Sequence, residues 1–372
     1  MRILHTNMHV GGWGGQANRI LVVCKGLRDR GYDVIVAAPK NATLVERARE
    51  AGLEVFDDWY LPKKFSFKRF FLDLVAILKL MKDRKIKLVH THGSQDGWVA
   101  SIAAKLIGGI KVLRTRHNIF PVKTHIFNKL LYRFLTDKLI AISFAVFDVY
   151  KKNGVLGKKL ENVEVIYDAL DLDKYSNCEI DRKEVEDTVG DLDRNFVIVN
   201  IGRLAKEKAQ DFLVEAIASL KGFLKVRAVI LGEGPLYDKL KELVLERGIG
   251  DKVIFGGLRK NVASFLKYSD IFVFTSLSEG LGTSLIEAGY FGLPVVAFKV
   301  GGIPEVVVDG KSGLLVECGD VTDLANNIRK LLFLPRIRRR MGMNGRKRAI
   351  ERFNPDQLVE GNIRVYNSII NR

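Results

Sequence analysis

Short apolar runs rich in Val, Ile and Leu recur from one end of the chain to the other. Each is followed by a loop and then by a stretch with helical spacing. That alternation constrains the fold more than any other feature, because buried runs joined by helices build parallel sheets from βαβ units. In the first half, Arg2 to Thr6, Asp33 to Ala38, Lys87 to Thr91, Lys111 to Thr115, Asp137 to Ser143 and Val163 to Ile166 read as strands. A helix is expected from about Gly15 to Arg30, stopped by Gly31 as a C-terminal cap. A second series comprises Phe196 to Ile201, Val226 to Leu231, Val253 to Phe255, Ile271 to Thr275 and Pro294 to Phe298. The polar, acidic stretch Asp168 to Arg194 between them reads as a linker. A chain of 372 residues exceeds one comfortable core. The expected architecture is therefore α/β, with two Rossmann-like parallel-sheet domains facing each other across a cleft, residues 1–170 and 171–353. A last helix, about 354–372, with Leu358, Ile363, Val365 and Tyr366 among its apolar positions, is expected to pack back on the first domain.

Lys and Arg number 60 against 43 Asp and Glu, a formal net charge of +17. Such a balance suits an anionic partner, whether nucleic acid, an anionic membrane or a phosphorylated substrate, and equally a merely solvated basic surface. Cys24, Cys178 and Cys318 are far apart and outside any metal-ligand spacing. With an opening that lacks signal-peptide character and no apolar run long enough to span a bilayer, the expectation is a cytoplasmic protein.

Ligands of doubly wound sheets bind beyond the carboxyl ends of strands, and four loops there carry chemistry. Gly12, Gly14 and Gly15 lie in a loop that fits G-x-G-x-x-A through Ala17. The second strand ends Ala37-Ala38-Pro39-Lys40, without the acid a nicotinamide site would want, so close backbone approach to substrate and a plain tight turn remain. The segment Gly202-Arg203-Leu204-Ala205-Lys206-Glu207-Lys208 offers cations to a diphosphate; the alternative is a basic helix start, which the helix dipole opposes. In Ser278-Glu279-Gly280-Leu281-Gly282-Thr283-Ser284-Leu285-Ile286-Glu287-Ala288, bare glycine backbone and a helix N-terminus suit phosphate, and two carboxylates suit hydroxyls. Gly301-Gly302-Ile303-Pro304-Glu305 reads as a turn shaping the cleft wall.

The stretch Gly202 to Gly319, with GRLAKEK, LGEGP, FGG, SEGLGTSLIEAGYFGLPVV and GGIPEVVVDGKSGLLV in that order, resembles the nucleotide-binding half of the retaining family-4 glycosyltransferases. The first half resembles the family through its glycine loop, Arg116-His117-Asn118 and Ala141-Ile142-Ser143. The resemblance implies a two-domain GT-B enzyme that moves a sugar from a nucleotide-diphosphate sugar to an acceptor hydroxyl with retention. It implies Arg203, Lys208, Gly282 and Thr283 at the donor diphosphate, and Glu287 at the ribose. Gly280 and Leu281 would meet the donor sugar, Leu258 the base, and Gly12, Gly14 and Gly15 the substrate. His117 and Glu279 would be the catalytic pair, His117 contacting the sugar across the cleft. The chain departs from the family at Tyr167-Asp168-Ala169-Leu170-Asp171, where an Asn-Gly turn is common at the hinge.

On this reading there is no cofactor and no metal; Arg203, Lys208 and the helix dipole offset the leaving-group charge. A UDP-sugar is favoured over a GDP-sugar, and a donor phosphate oxygen accepts the acceptor's proton. Two basic amphipathic segments bear on the acceptor. One carries Phe67, Phe70, Phe71, Leu74, Leu78 and Met81 with Lys63, Lys64, Lys68 and Arg69. The other carries Ile126, Phe127, Leu130, Leu131, Phe134 and Leu135 with Lys123, Lys129, Arg133 and Lys138. Such helices lie on anionic membranes or pack into cores, and both readings stand. The first implies a peripheral protein of the inner membrane face with a lipid-linked or saccharide acceptor, as in lipopolysaccharide, capsule or glycolipid synthesis. The rivals are a non-hydrolysing nucleotide-sugar epimerase and a basic nucleic-acid-binding protein; the second has charge alone behind it, and no nucleic acid partner is expected.

Overall fold

A computed structural model describes residues 1–10, 14–59, 66–176, 178–220, 222, 225–259 and 261–371. The chain divides into two compact units, Met1–Ala169 with Pro355–Arg372, and Leu170–Asn354. The fold is α/β, each unit built on one parallel sheet.

The first unit holds β1 (Arg2–Thr6), β2 (Asp33–Ala37), β3 (Glu54–Phe56), β4 (Leu88–Thr91), β5 (Lys111–Arg116), β6 (Lys138–Ala141) and β7 (Val163–Val165). Their order is β3-β2-β1-β4-β5-β6-β7. Ile3, Leu4, Val36, Leu88, Val89, Leu113 and Ile140 are buried, as strands covered on both faces require. The helix Gly15–Asp29 covers one face, and the C-terminal helix Pro355–Ile370 packs against it. Gly26 makes that approach possible: a Cβ there would sit 2.4 Å from Val359 Cγ2. Arg19, inside the Gly15–Asp29 helix, is fully buried and donates to Asp168 at 2.6 Å and to the Ile166 carbonyl at 2.9 Å. The hinge position where the family resemblance breaks is thus an internal anchor of this unit.

The second unit holds β8 (Phe196–Ile201), β9 (Val226–Leu231), β10 (Val253–Gly257), β11 (Ile271–Phe274), β12 (Val295–Phe298) and β13 (Gly313–Val316), in the order β10-β9-β8-β11-β12-β13. The helices Thr283–Tyr290 and Pro335–Arg352 meet through glycines. Gly342 lies so close to the Gly292 carbonyl that a Cβ would come within 1.9 Å of it.

One expectation needs correction. The polar stretch 168–194 is not a loose linker. Asp168 and Ala169 are buried in the first unit, and the second contains the helices Leu172–Ser176 and Arg182–Val189. Asp181 caps the latter by accepting from the Lys183 and Glu184 amides, and Val185 and Val189 are buried. The alternative of a basic helix start after β8, which the helix dipole opposes, does not hold. Residues 203–208 form a turn, and the helix starts at Gln210 after Ala209 in a left-handed conformation, φ +46°.

Candidate active site

The order of the second sheet reverses at β8 and β11, the topological switch point where doubly wound sheets open a crevice. The loops leaving these strands carry Lys208 and Glu279, and their side chains meet: Lys208 Nζ donates to Glu279 Oε2 at 2.5 Å. Backbone contacts fix both loops. The Leu277 amide donates to the Glu207 carbonyl at 2.9 Å, and the Thr275 hydroxyl to the Lys208 carbonyl at 3.0 Å. Lys208 also lies 5.0 Å from the Phe274 ring centroid. Lys206, the neighbouring cation, is exposed. Lys208 is therefore the lysine set at the switch point.

Gly282, at φ +90°, precedes the helix Thr283–Tyr290 without a side-chain cap or an acidic residue in its first turn. A helix N-terminus left in that state suits an anion. The Gly301-Gly302 turn presses directly on this loop. The Gly302 amide donates to the Glu279 carbonyl at 3.0 Å, and a Cβ on Gly302 would come within 2.2 Å of the Gly280 carbonyl oxygen. On the other side, the Leu204 amide donates to the Glu233 carbonyl and the Leu236 amide to the Leu204 carbonyl, interlocking GRLAKEK with LGEGP.

Glu287, inside the helix Thr283–Tyr290, accepts from the Tyr175 hydroxyl and from Lys174 Nζ at 3.1 Å. Neither partner was identified from the sequence. Burial, then the Glu287 charge, pushes the Tyr175 hydroxyl far above the usual tyrosine range, so it stays a donor. Arg203 is exposed, with its carbonyl held by Gln210 Nε2 at 3.1 Å. Leu258 is 75% exposed just beyond β10, available to a flat apolar ligand. Leu281 is buried, 1% exposed, so its side chain does not stand open to a ligand.

In the first unit the sheet reverses at β1 and β4, and here histidines gather. His5 and His90 are register partners on those strands, and His92 follows two residues on, on the same face as His90. The nearest ring nitrogens of His5, His90 and His92 all lie within 4.8 Å of one another. His92 Nδ1 lies 3.0 Å from His117 Nε2, beyond β5. Burial, then the charges of Arg19, His9 and Arg114, holds His117 well below the usual histidine range. Gly14 and Gly15 start the first helix, where Gly14 has open space around its Cβ position. Gly12 lies outside the described residues.

The two halves match two family descriptions, "Glycosyltransferase Family 4" over residues 13–174 and "Glycosyl transferases group 1" over residues 181–348. The chain belongs to the family-4 glycosyltransferases. Among its relatives, N-acetyl-alpha-D-glucosaminyl L-malate synthase of Bacillus anthracis is 25% identical over 311 residues, 82% of this chain and 81% of that protein. UDP-Gal:alpha-D-GlcNAc-diphosphoundecaprenol alpha-1,3-galactosyltransferase of Escherichia coli is 28% identical over 300 residues, 77% and 76% of the two chains. The crystal structure of a glycosyltransferase from Rickettsia africae superimposes with a TM-score of 0.87 at 20% identity, covering 100% of this chain and 99% of that one. That of Anabaena HepE with UDP-glucose gives 0.85 at 22% identity over 99% and 100%. These neighbours fix the glycosyltransferase fold as GT-B.

Proposed function

We propose that this glycosyltransferase takes a nucleoside-diphosphate sugar, a UDP-sugar before a GDP-sugar, and transfers the sugar to an acceptor hydroxyl with retention of configuration. The observation that carries the reading is the Lys208–Glu279 pair at the switch point, beside the glycine-capped helix N-terminus at Gly282 and Thr283. A diphosphate at that helix end meets Lys208, whose ammonium has donors to spare beyond Glu279, and Arg203, whose exposed fork is free to turn to it. These cations offset leaving-group charge without calling on a metal. Glu287, steadied by Tyr175 and Lys174, takes the ribose hydroxyls. Leu258 lies against the base, and the Gly280 to Gly282 backbone and Glu279 hold the sugar. Because Glu279 is engaged by an ammonium, it serves as a sugar-positioning acceptor rather than a nucleophile. Retention then follows from attack on the leaving-group face, with a donor phosphate oxygen accepting the proton. His117 contacts the sugar.

The UDP preference draws on relatives, since the Escherichia coli enzyme is named for UDP-Gal and HepE binds UDP-glucose. A thermal-shift screen against UDP, GDP, ADP and their sugar conjugates tests it. UDP compounds are expected to stabilise the wild type and to lose most of that effect in Arg203→Ala. No shift with any nucleotide refutes the donor site.

A membrane-facing acceptor is the second part of the proposal. The helix Phe67–Asp83 buries Ile77, Leu80 and Met81 and packs Phe70, Leu74 and Leu78 on the core. It nevertheless leaves Phe67 82% exposed, with Phe71, Leu72 and Val75 beside it. One side of this helix thus packs on the core, and the exposed apolar side supports the membrane reading. On the helix Ile126–Arg133, Ile126, Phe127 and Leu130 are exposed, as is Phe134 just beyond it. Not every nearby cation is free for a membrane. Arg133 donates to the Val155 and Gly154 carbonyls, and Lys138 to Glu164 and Ser368. Lys68, Arg69 and Lys123 remain exposed; Lys63 and Lys64 lie outside the described residues. Apolar side chains flanked by cations fit an anionic interface and a lipid-linked acceptor. Among the described residues no helix is long and apolar enough to cross a membrane. Co-sedimentation with phosphatidylglycerol vesicles at low salt is expected, with loss in Phe71→Ser/Val75→Ser; wild type remaining in the supernatant ends this part of the reading.

A further inference from the structure

The histidines of the first unit form one continuous chain of hydrogen-bonding groups. Thr115 Oγ1 lies 2.7 Å from His90 Nε2, and His90 Nδ1 lies 2.9 Å from the Tyr366 hydroxyl. The same hydroxyl lies 3.2 Å from His5 Nε2, His5 Nδ1 is 3.2 Å from His92 Nε2, and His92 Nδ1 is 3.0 Å from His117 Nε2. His117 Nδ1 is buried and has no partner among the described residues. Tyr366 belongs to the C-terminal helix, so a residue near the end of the chain links two strands at the switch point.

Each neutral imidazole has one donor and one acceptor nitrogen, so the proton on any ring fixes that on its neighbours. Two uniform directions are available. If His117 Nε2 donates inward, protons point towards Thr115, whose hydroxyl accepts from His90 and keeps its own hydrogen without an acceptor in the chain. If Thr115 donates to His90, His90 donates to Tyr366, Tyr366 to His5, His5 to His92, and His92 to His117 Nε2. Every hydrogen between Thr115 and His117 is then used, and the one left over is on His117 Nδ1. Either direction leaves one hydrogen without an acceptor; in the second it sits on the half-buried His117, where a ligand can accept it, rather than on Thr115, which is 1% exposed, and that favours the second direction.

We propose that Tyr366 is a positioning residue for His117: it joins the two arms of this relay, which gives His117 the tautomer with the proton on Nδ1 and aims that N–H as a donor at a sugar or phosphate oxygen. The assignment of His117's ligand rests on the donor-sugar reading given above; the relay itself rests on the hydrogen-bond chain. The same trio of His5, His90 and His92 has the grouping of a metal site, but both nitrogens of His90 and of His5 are engaged in the relay, and Arg19 adds a buried positive charge nearby.

The test is nitrogen-15 NMR of the full chain labelled at histidine, which reads the tautomer of each ring directly. In the wild type His117 is expected as a single tautomer, Nδ1 protonated and Nε2 bare. Tyr366→Phe keeps the ring packing but removes the hydroxyl, and should turn His117 into a mixture of tautomers. With UDP-glucose as donor, kcat should fall roughly tenfold, the scale of one lost hydrogen bond, while UDP affinity holds. His117 bare at Nδ1 in the wild type, or the same tautomer in both proteins, overturns the relay. A His117→Ala variant that turns over UDP-glucose as fast as wild type overturns the sugar-contact reading instead, whatever the tautomer result.

Discussion

Lowering the pH from 7.5 to 5.5 should weaken the first unit far more than an ordinary surface would allow. Burial, the largest cause in each case, holds His5 at a pKa of about 3 and keeps His90, His92 and His117 well below the usual 6.5, with the Arg19 charge adding to each. A histidine whose folded pKa is depressed binds its proton more readily when unfolded. Its contribution is therefore complete above the unfolded value and is lost as pH falls below 6.5 towards the folded value. Between pH 7.5 and 5.5 each such histidine costs about 1.4 kcal/mol of stability, so the four together cost about 5 kcal/mol. That is a large share of the roughly 5–15 kcal/mol by which domains are stable. Trp13, Trp59 and Trp98 all lie in Met1–Ala169, so tryptophan fluorescence in a urea titration follows this unit alone. The expected slope approaches four protons taken up on unfolding. Carboxylates remain mostly ionised at pH 5.5 and contribute little in this window. A urea midpoint that does not move between the two pH values, or a slope under one proton, would show that the cluster is hydrated and protonated in the folded state.

Three further outcomes follow from named contacts. Glu279→Ala should abolish transfer while UDP affinity stays within about threefold of wild type if, as proposed, the carboxylate holds the sugar and its partner Lys208 the diphosphate; titration calorimetry showing equal loss of UDP binding rejects that division. Tyr175→Phe removes one charged hydrogen bond to Glu287 and should weaken UDP by roughly tenfold, with a smaller change in kcat, if Glu287 holds the ribose. Asp168→Ala leaves the Arg19 guanidinium buried without its carboxylate and should destabilise the first unit by about 3–5 kcal/mol, read from the same fluorescence titration; a loss below about 1 kcal/mol means that water or another group replaces the carboxylate.

What could be read from the sequence was local. Strands and the glycine loops after them depend on neighbours in the chain, so β8 and β9 fall where the apolar runs place them. β3 opens on the exposed Glu54 and β13 lies inside the glycine-bearing run GGIPEVVVDGKSGLLV, so neither stood out as a strand, and the helix Arg182–Val189 was hidden by its polarity. Asp181 followed by Glu184 was the capping signal that could have revealed it. Close packing explains Gly302, which pattern alone left as a turn, and Gly232 of LGEGP. Gly302 sits against the Gly280 carbonyl and Gly232 against the Gly202 carbonyl, so the loops around the candidate diphosphate site hold their shape through backbone contact that a side chain would block.

The parts of the site that escaped the sequence are those made by distant partners. Lys174 and Tyr175 lie 113 and 112 positions from Glu287, and no spacing rule reaches that far. The histidines were individually visible but not as a set, since a lone histidine is more often structural than chemical. The informative feature was the alternation His90-Thr91-His92 at the end of β4: two buried imidazoles two residues apart at the switch point need polar partners that packing alone does not supply. Burying them beside Arg19 works against their protonation, and the hydrogen-bond chain through Tyr366 meets that demand by giving neutral rings both a donor and an acceptor. The charge that does stand among these rings, Arg19, is met by Asp168 at 2.6 Å, so the crevice keeps a buried cation paired and its imidazoles neutral.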